Sequence, residues 1–261
     1  MIAGAVADEV TIRKCEALKE MQACFALQKE VWNFADADLI PVRMLVVAAK
    51  IGGHVIGAFV QREGEDELVG FALAMPGMRN GHAYLHSQML AVRQQYRNRG
   101  LGRRIKLYQR EDALAQGFEL MEWTFDPLEI KNAYLNIERL GAIARRYTVN
   151  QYGITSSPLQ GGLPTDRLVA EWWMKSKRVE AVMANAPRPK FECRACIVVP
   201  AEIYAWKADA AARSQALAVQ ENSRERFIRA FAEGLSVLGY DRDERGNGQF
   251  LLGRWDERCG Y

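Results

Sequence analysis

The sequence of 261 residues is 49% hydrophobic and 26% charged with a formal net charge of +3, the balance of a globular chain that excludes a disordered polyelectrolyte. So small a surplus gives no overall support to a nucleic-acid partner, although a local anion site stays open. No run approaches the roughly 18 apolar residues of a membrane span, and Met1 to Val10 lacks a leader pattern, so a cytoplasmic protein with no membrane partner is expected.

Val10 to Arg13 reads as a strand and Glu16 to Trp32 as a helix, with Leu18, Met21, Phe25 and Trp32 near helical spacing. A loop, Phe34 to Pro41, follows. Gly52-Gly53 turns the chain into a hairpin of His54 to Gln61 and Leu68 to Met75, and Ala83 to Val92 adds a further strand. Leu101 to Gln116 then fits an amphipathic helix closed by Gly117. Phe118 to Phe125 is a strand stopped by Asp126-Pro127, Ile130 to Leu140 a helix ended by Gly141, and Ala144 to Tyr152 a strand. The order predicts a mixed α/β fold with helices on both sides of a sheet.

Beyond Gly153 a loop, Ser156 to Pro164, leads to a stretch of unsettled type around Leu168 to Met174. Ala186 to Lys190 reads as a linker, followed by a strand at Cys193 to Pro200, a long helix from Asp209 to Leu238 and a strand at Gln249 to Trp255. The expected division is a domain at 1–185 and a C-terminal strand-helix-strand extension at 186–261, packed on the core or on a second subunit as a homodimer. Five cysteines, Cys15, Cys24, Cys193, Cys196 and Cys259, are an odd set that argues against a disulfide framework. With no second pair and no histidine near Cys193-x-x-Cys196, free thiols are expected and no metal.

One stretch carries chemistry. After the strand ending at Val92 come Arg93-Gln94-Gln95-Tyr96-Arg97-Asn98-Arg99-Gly100-Leu101-Gly102, and then a helix. A glycine-rich turn opening a helix leaves backbone N–H groups pointing outward, and with the helix dipole these make an anion pocket. Arg93, Arg97, Arg99, Arg103, Arg104 and Lys106 are expected around it, since guanidinium forks suit phosphate oxygens. Neither a Rossmann nor a P-loop pattern is present. A plain turn with a solvated basic face is the competing reading.

Arg97-x-x-Gly100-x-Gly102, with Val92 ten residues before Gly102, resembles the signature of the GNAT superfamily of acyl-CoA N-acyltransferases over roughly Val10 to Tyr152. The resemblance implies a mixed, mainly antiparallel central sheet flanked by helices. It also implies an acetyl-CoA or succinyl-CoA co-substrate, with Leu90 and Val92 along the pantetheine and Arg97, Asn98, Arg99, Gly100, Leu101, Gly102 and Arg103 on the phosphates. Asn132 and Asn136 fall where an asparagine of that family meets the CoA arm. The tyrosine that many members use as catalytic acid falls on Ile137, so Tyr134, one turn earlier, is the candidate acid, with a packing role as its competitor. His86 stands where the histone-acetylating branch places its glutamate and is a candidate base; Glu122 and Asp126 are alternatives acting through water.

The segment Gly161 to Leu168, with Glu171-Trp172-Trp173, resembles a branch carrying a C-terminal extension of this size, which includes enzymes that N-succinylate amino acids. Arg167 and Trp172 are therefore candidates for an acceptor pocket, with an Arg and Asp pair bracing the loop as the alternative. The function this implies is acyl transfer from CoA to the amine of a small molecule, most simply an amino acid. A non-catalytic acyl-CoA sensor or partner-binding protein is the rival.

Overall fold

The computed structural model describes residues 9–153 and 160–257. The leader reading at 1–8, the 156–159 part of the expected loop and Cys259 lie outside them. The chain divides into two compact units, residues 1–77 with 85–117 and residues 78–84 with 118–261.

The first unit contains β1 (Thr11–Lys14), α1 (Leu18–Trp32), α2 (Val42–Lys50), β2 (His54–Arg62), most of β3 (Glu65–Arg79) and of β4 (His82–Val92), and α3 (Leu101–Ala115). Its strands lie in the order β1-β2-β3-β4, with β1 and β3 antiparallel to β2. Alternation splits the buried residues into two layers. Phe71, Leu73, Met89 and Ala91 pack with Met21, Leu27 and Leu45 of α1 and α2, whereas Ile56, Val60 and Ala72 pack with Leu101 and Ile105 of α3. Helix α2 is absent from the sequence reading, which leaves 42–51 unassigned. Pro41 precedes it, and its buried face is only Leu45 and Ala48, too short a stripe to stand out.

The second unit contains β5 (Leu120–Phe125), α4 (Ile130–Tyr134), β6 (Ile143–Thr148), β7 (Arg167–Trp173), α5 (Lys177–Met183), β8 (Ala195–Val199), α6 (Ile203–Ala208), α7 (Arg213–Ala232), β9 (Ser236–Arg242) and β10 (Gly248–Gly253). Its strand order is β5-β7-β6-β9-β10-β8, with antiparallel pairings throughout. The stretch of unsettled type is thus β7. The single long helix expected at 209–238 is corrected to α7 followed by β9. Leu235 and Leu238 continue the helical spacing of Phe231, but the helix stops before Gly234 and Val237 enters the sheet opposite Ala144. The predicted helix 130–140 is also modified: α4 passes into a π-helical turn, Leu135–Arg139, in which the Leu140 amide donates to the Leu135 carbonyl. Such turns insert a residue and frequently mark functional sites.

Candidate functional site

In the first unit the geometry begins at the turn after β4. Asn98 (φ 61°) and Gly100 (φ 76°) both adopt the left-handed region, and Gly100 is the N-cap of α3. The first helical bond runs from the Arg104 amide to the Gly100 carbonyl at 3.1 Å, so the amides of Leu101 and Gly102 precede the helical ladder, with the positive end of the dipole behind them. A Cβ on Gly100 would meet no atom within 4 Å, and one on Gly102 would lie 3.7 Å from Leu90 Cδ2. The turn is therefore an open cradle, of the shape an anionic phosphate group fits.

The cations around this cradle are fewer than the sequence implied. Arg97 and Arg99 are exposed beside it, Arg97 donating from Nε to the Val92 carbonyl at 2.8 Å. Arg93 is instead ion-paired with Glu67 and with Glu30, and Arg104 donates to the Val10 carbonyl at 2.8 Å. Lys106 departs furthest. It is 3% exposed and donates to Ser87 Oγ at 2.7 Å, and burial pushes its ammonium down to about 7. A side chain one position removed from the exposed face of α3 turned inward, which the clustering of basic residues conceals.

That contact brings β4 against α3 next to the candidate base. Ser87 meets α3 through Lys106, and Leu90 and Val92, an odd number of residues further on, also pack on the α3 side. His86, the candidate base, is adjacent to Ser87 on β4 and is half-buried.

In the second unit the structure separates the remaining candidates. Asn136 is 2% exposed and its Nδ2 has no hydrogen-bond partner, whereas Asn132 is exposed. An orphaned buried amide leaves a donor that an acceptor such as a carbonyl or phosphate oxygen would satisfy. Ile137 is fully buried, and Tyr134 is 40% exposed with the Arg242 guanidinium 5.6 Å from its ring centroid. Glu122 is 2% exposed and gives its oxygens to Arg79 and, at 2.5 Å, to Arg146. Both oxygens are occupied, which is the arrangement of a brace.

Asp126 follows β5, accepts the Leu128 amide at 2.8 Å on Oδ1 and pairs through Oδ2 with Lys207 at 3.0 Å. Trp172 is fully buried, donates from Nε1 to the Leu140 carbonyl at 2.7 Å and meets Trp123 edge-on. It is a core residue and not a pocket wall. Arg167 reaches Gln160 Oε1 at 3.2 Å and the Asp166 carbonyl at 2.8 Å, and lies over the Tyr152 ring. Tyr152 in turn bonds Thr124 of β5 through its hydroxyl at 3.1 Å. The expected Arg and Asp brace exists with a different arginine: Asp166, fully buried, pairs with Arg224 of α7 at 2.7 Å and accepts the Tyr147 hydroxyl at 2.7 Å. Lys207, Arg224 and Tyr152 were missed, because each is remote in sequence from the residue it serves.

Cys15 and Cys24 are buried with their sulfurs 3.9 Å apart, and Cys193 and Cys196 are free thiols. Among the described residues no cluster of three His, Cys, Asp or Glu side chains could hold a metal, and no helix is long and apolar enough to cross a membrane.

Residues 16–133 match the acetyltransferase (GNAT) family. The matched segment, less than half of the chain, is similar to GNAT acetyltransferase domains. Two solved structures share the fold of this domain. Arabidopsis thaliana NAA60, solved with a bisubstrate analogue, is 11% identical, with a TM-score of 0.51 over 63% of this chain and 99% of that one. Salmonella typhimurium yncA, solved with its cofactor acetyl-CoA, is 14% identical, with a TM-score of 0.50 over 64% and 95%. Comparison with the curated proteins returns no match. The GNAT match ends at residue 133, so α6, α7 and β8 to β10 fall beyond it.

Proposed function

We propose that the protein is an acyl-CoA-dependent N-acyltransferase that moves an acetyl or succinyl group to the amine of a small molecule, an amino acid being the simplest acceptor. The observation that carries this reading is the open cradle at Asn98 to Gly102 at the start of α3, within a domain that matches the GNAT family. Acetyl-CoA, the cofactor in the yncA structure, is the first donor to test. When bound, the thioester supplies an activated acyl carbon and a thiolate leaving group.

The chain's own residues do the rest. The amides of Leu101 and Gly102, with Arg97, Arg99 and Arg103, hold the pyrophosphate, and the orphan Nδ2 of Asn136 donates to an oxygen of the CoA arm. An amine attacks only in its neutral form, so a base must take its proton. His86 serves this role better than Glu122, whose oxygens are both engaged by arginines. Tyr134, exposed and beside Arg242, is the group available to return a proton. On the acceptor side, the guanidinium of Arg167 over Tyr152 suits a carboxylate.

Free-thiol release from acetyl-CoA and succinyl-CoA against a panel of amino acids and polyamines tests the reading. Transfer to an amino acid is expected, and Arg167→Ala should raise the acceptor's KM about ten- to a hundredfold with CoA binding unchanged. An unchanged KM would make Arg167 a loop brace. A non-catalytic acyl-CoA sensor is favoured by one observation, the buried Ile137 at the position of the family's tyrosine. CoA binding without transfer to any amine would establish it.

A further inference from the structure

The part of the chain beyond the GNAT match contributes a buried cation whose cost needs a reason. Lys207 at the end of α6 is 7% exposed. Its ammonium lies 3.0 Å from Asp126 Oδ2 and 2.8 Å from Glu129 Oε1, both in the turn from β5 to α4. Burial works against its charge, yet the two carboxylates outweigh burial and hold it above the ordinary lysine value. Bracing a turn does not need such an arrangement, since an apolar residue of similar volume serves stability as well or better. What a buried ion pair adds is a fixed direction for the carboxylate.

The same residue also touches the segment that carries Arg167. Gly161 (φ 61°) passes so close to α6 that a Cβ there would lie 2.6 Å from the Lys207 carbonyl oxygen, a position only glycine can occupy. The next residues are held from α7, where Gln220 donates to the Pro164 carbonyl at 2.8 Å and Arg224 pairs with Asp166. Gln160 ties this segment to Arg167 and, through Nε2, to the Pro164 carbonyl at 2.8 Å. Lys207 thus meets Asp126 through its ammonium and the 160–167 segment through its main chain.

We propose that Lys207 is a positioning residue for the acceptor: its ammonium holds the turn at Asp126 and Glu129 and its main chain abuts the segment bearing Arg167, so that Arg167 keeps the geometry that binds a small amine carrying a carboxylate. This rests on the acyl-transfer reading, and it assigns to the extension the selection of the acceptor. CoA recognition stays with the turn before α3.

The test compares wild type, Lys207→Met, Lys207→Arg and Glu129→Gln in the full chain, with acetyl-CoA as donor and the amino acids of the panel as acceptors. Lys207→Met should raise the acceptor KM at least tenfold with kcat and the acetyl-CoA-induced Tm shift nearly unchanged, and Lys207→Arg should return KM to within about threefold of wild type. Glu129→Gln, which leaves the pair of Lys207 with Asp126 in place, should raise KM by about threefold and keeps the test open if Lys207→Met does not fold. Variants that lose thermal stability but keep the wild-type KM would make Lys207 a structural brace and overturn the proposal, leaving acyl transfer intact. A wild type that transfers to no amine would overturn both.

Discussion

Glu122 of β5 stands directly opposite Glu171 of β7 in the sheet register, and both carboxylates are buried, at 2% and 1% exposure. Like charges in that relation repel, and three arginines offset them. Arg79 and Arg146 take Glu122, while Arg145 and Arg146 take Glu171 at 2.9 and 3.1 Å. Consecutive residues reach one carboxylate because the β6 register shifts between Ala144 and Tyr147.

This lattice separates two roles for Glu122. As a brace, Glu122→Gln should lower stability by about 1–3 kcal/mol, the cost of a poorly matched buried group, and leave kcat within a few-fold of wild type. Urea titration and steady-state kinetics measure both. A kcat loss of about a hundredfold at wild-type stability would restore Glu122 as the base.

Replacement of Gly100 addresses the donor half. Gly100→Glu places a side chain in left-handed backbone and a negative charge in the phosphate cradle. The thermal shift that acetyl-CoA gives wild type at concentrations well above Kd should vanish, whereas Gly100→Ala should keep a reduced one. An undiminished shift in the glutamate variant would place the anion elsewhere.

For His86, the alanine and glutamine variants should each lose about a hundredfold or more in kcat while keeping the acetyl-CoA shift. Both should also lose the acid limb of the pH–rate profile. Retention of that limb in His86→Gln would assign the base to another group.

The pH dependence of stability should carry the mark of His54. This residue has no exposed surface, bonds Asp112 through Nε2 at 2.9 Å, and burial, opposed by Asp112, pushes its imidazole down from 6.5 to about 4. Between those values the unfolded chain binds the proton and the folded chain does not. Stability is therefore full above about pH 6.5 and falls as the pH drops toward 4, by up to about 3 kcal/mol. Urea midpoints at pH 7 and pH 4.5 should differ less in His54→Gln, and an equal difference would place the acid-sensitive group elsewhere.

The turn before α3 was legible in the sequence because it is local. Residues 92–104 build the end of a strand, two left-handed turns and the first turn of a helix from contiguous chain, so residue types alone determine where the amides point. Strands β2 to β5 were legible for the same reason, each carrying its own alternation or turn signal. Tertiary structure decided what the charged and aromatic side chains do. Lys106 turned inward because Ser87 of β4 accepts its ammonium, and Trp172 became core because β7 lies between β5 and β6. Glu122 became a brace through arginines 43 residues before it and 24 after it. Asp126 and Asp166 met Lys207 and Arg224 from 81 and 58 residues further along the chain. A one-dimensional pattern specifies which face a side chain occupies. The partner that awaits it there depends on which distant segment the packed chain brings to that face, and here that partner decided whether a charged residue braces the fold or remains available to a substrate.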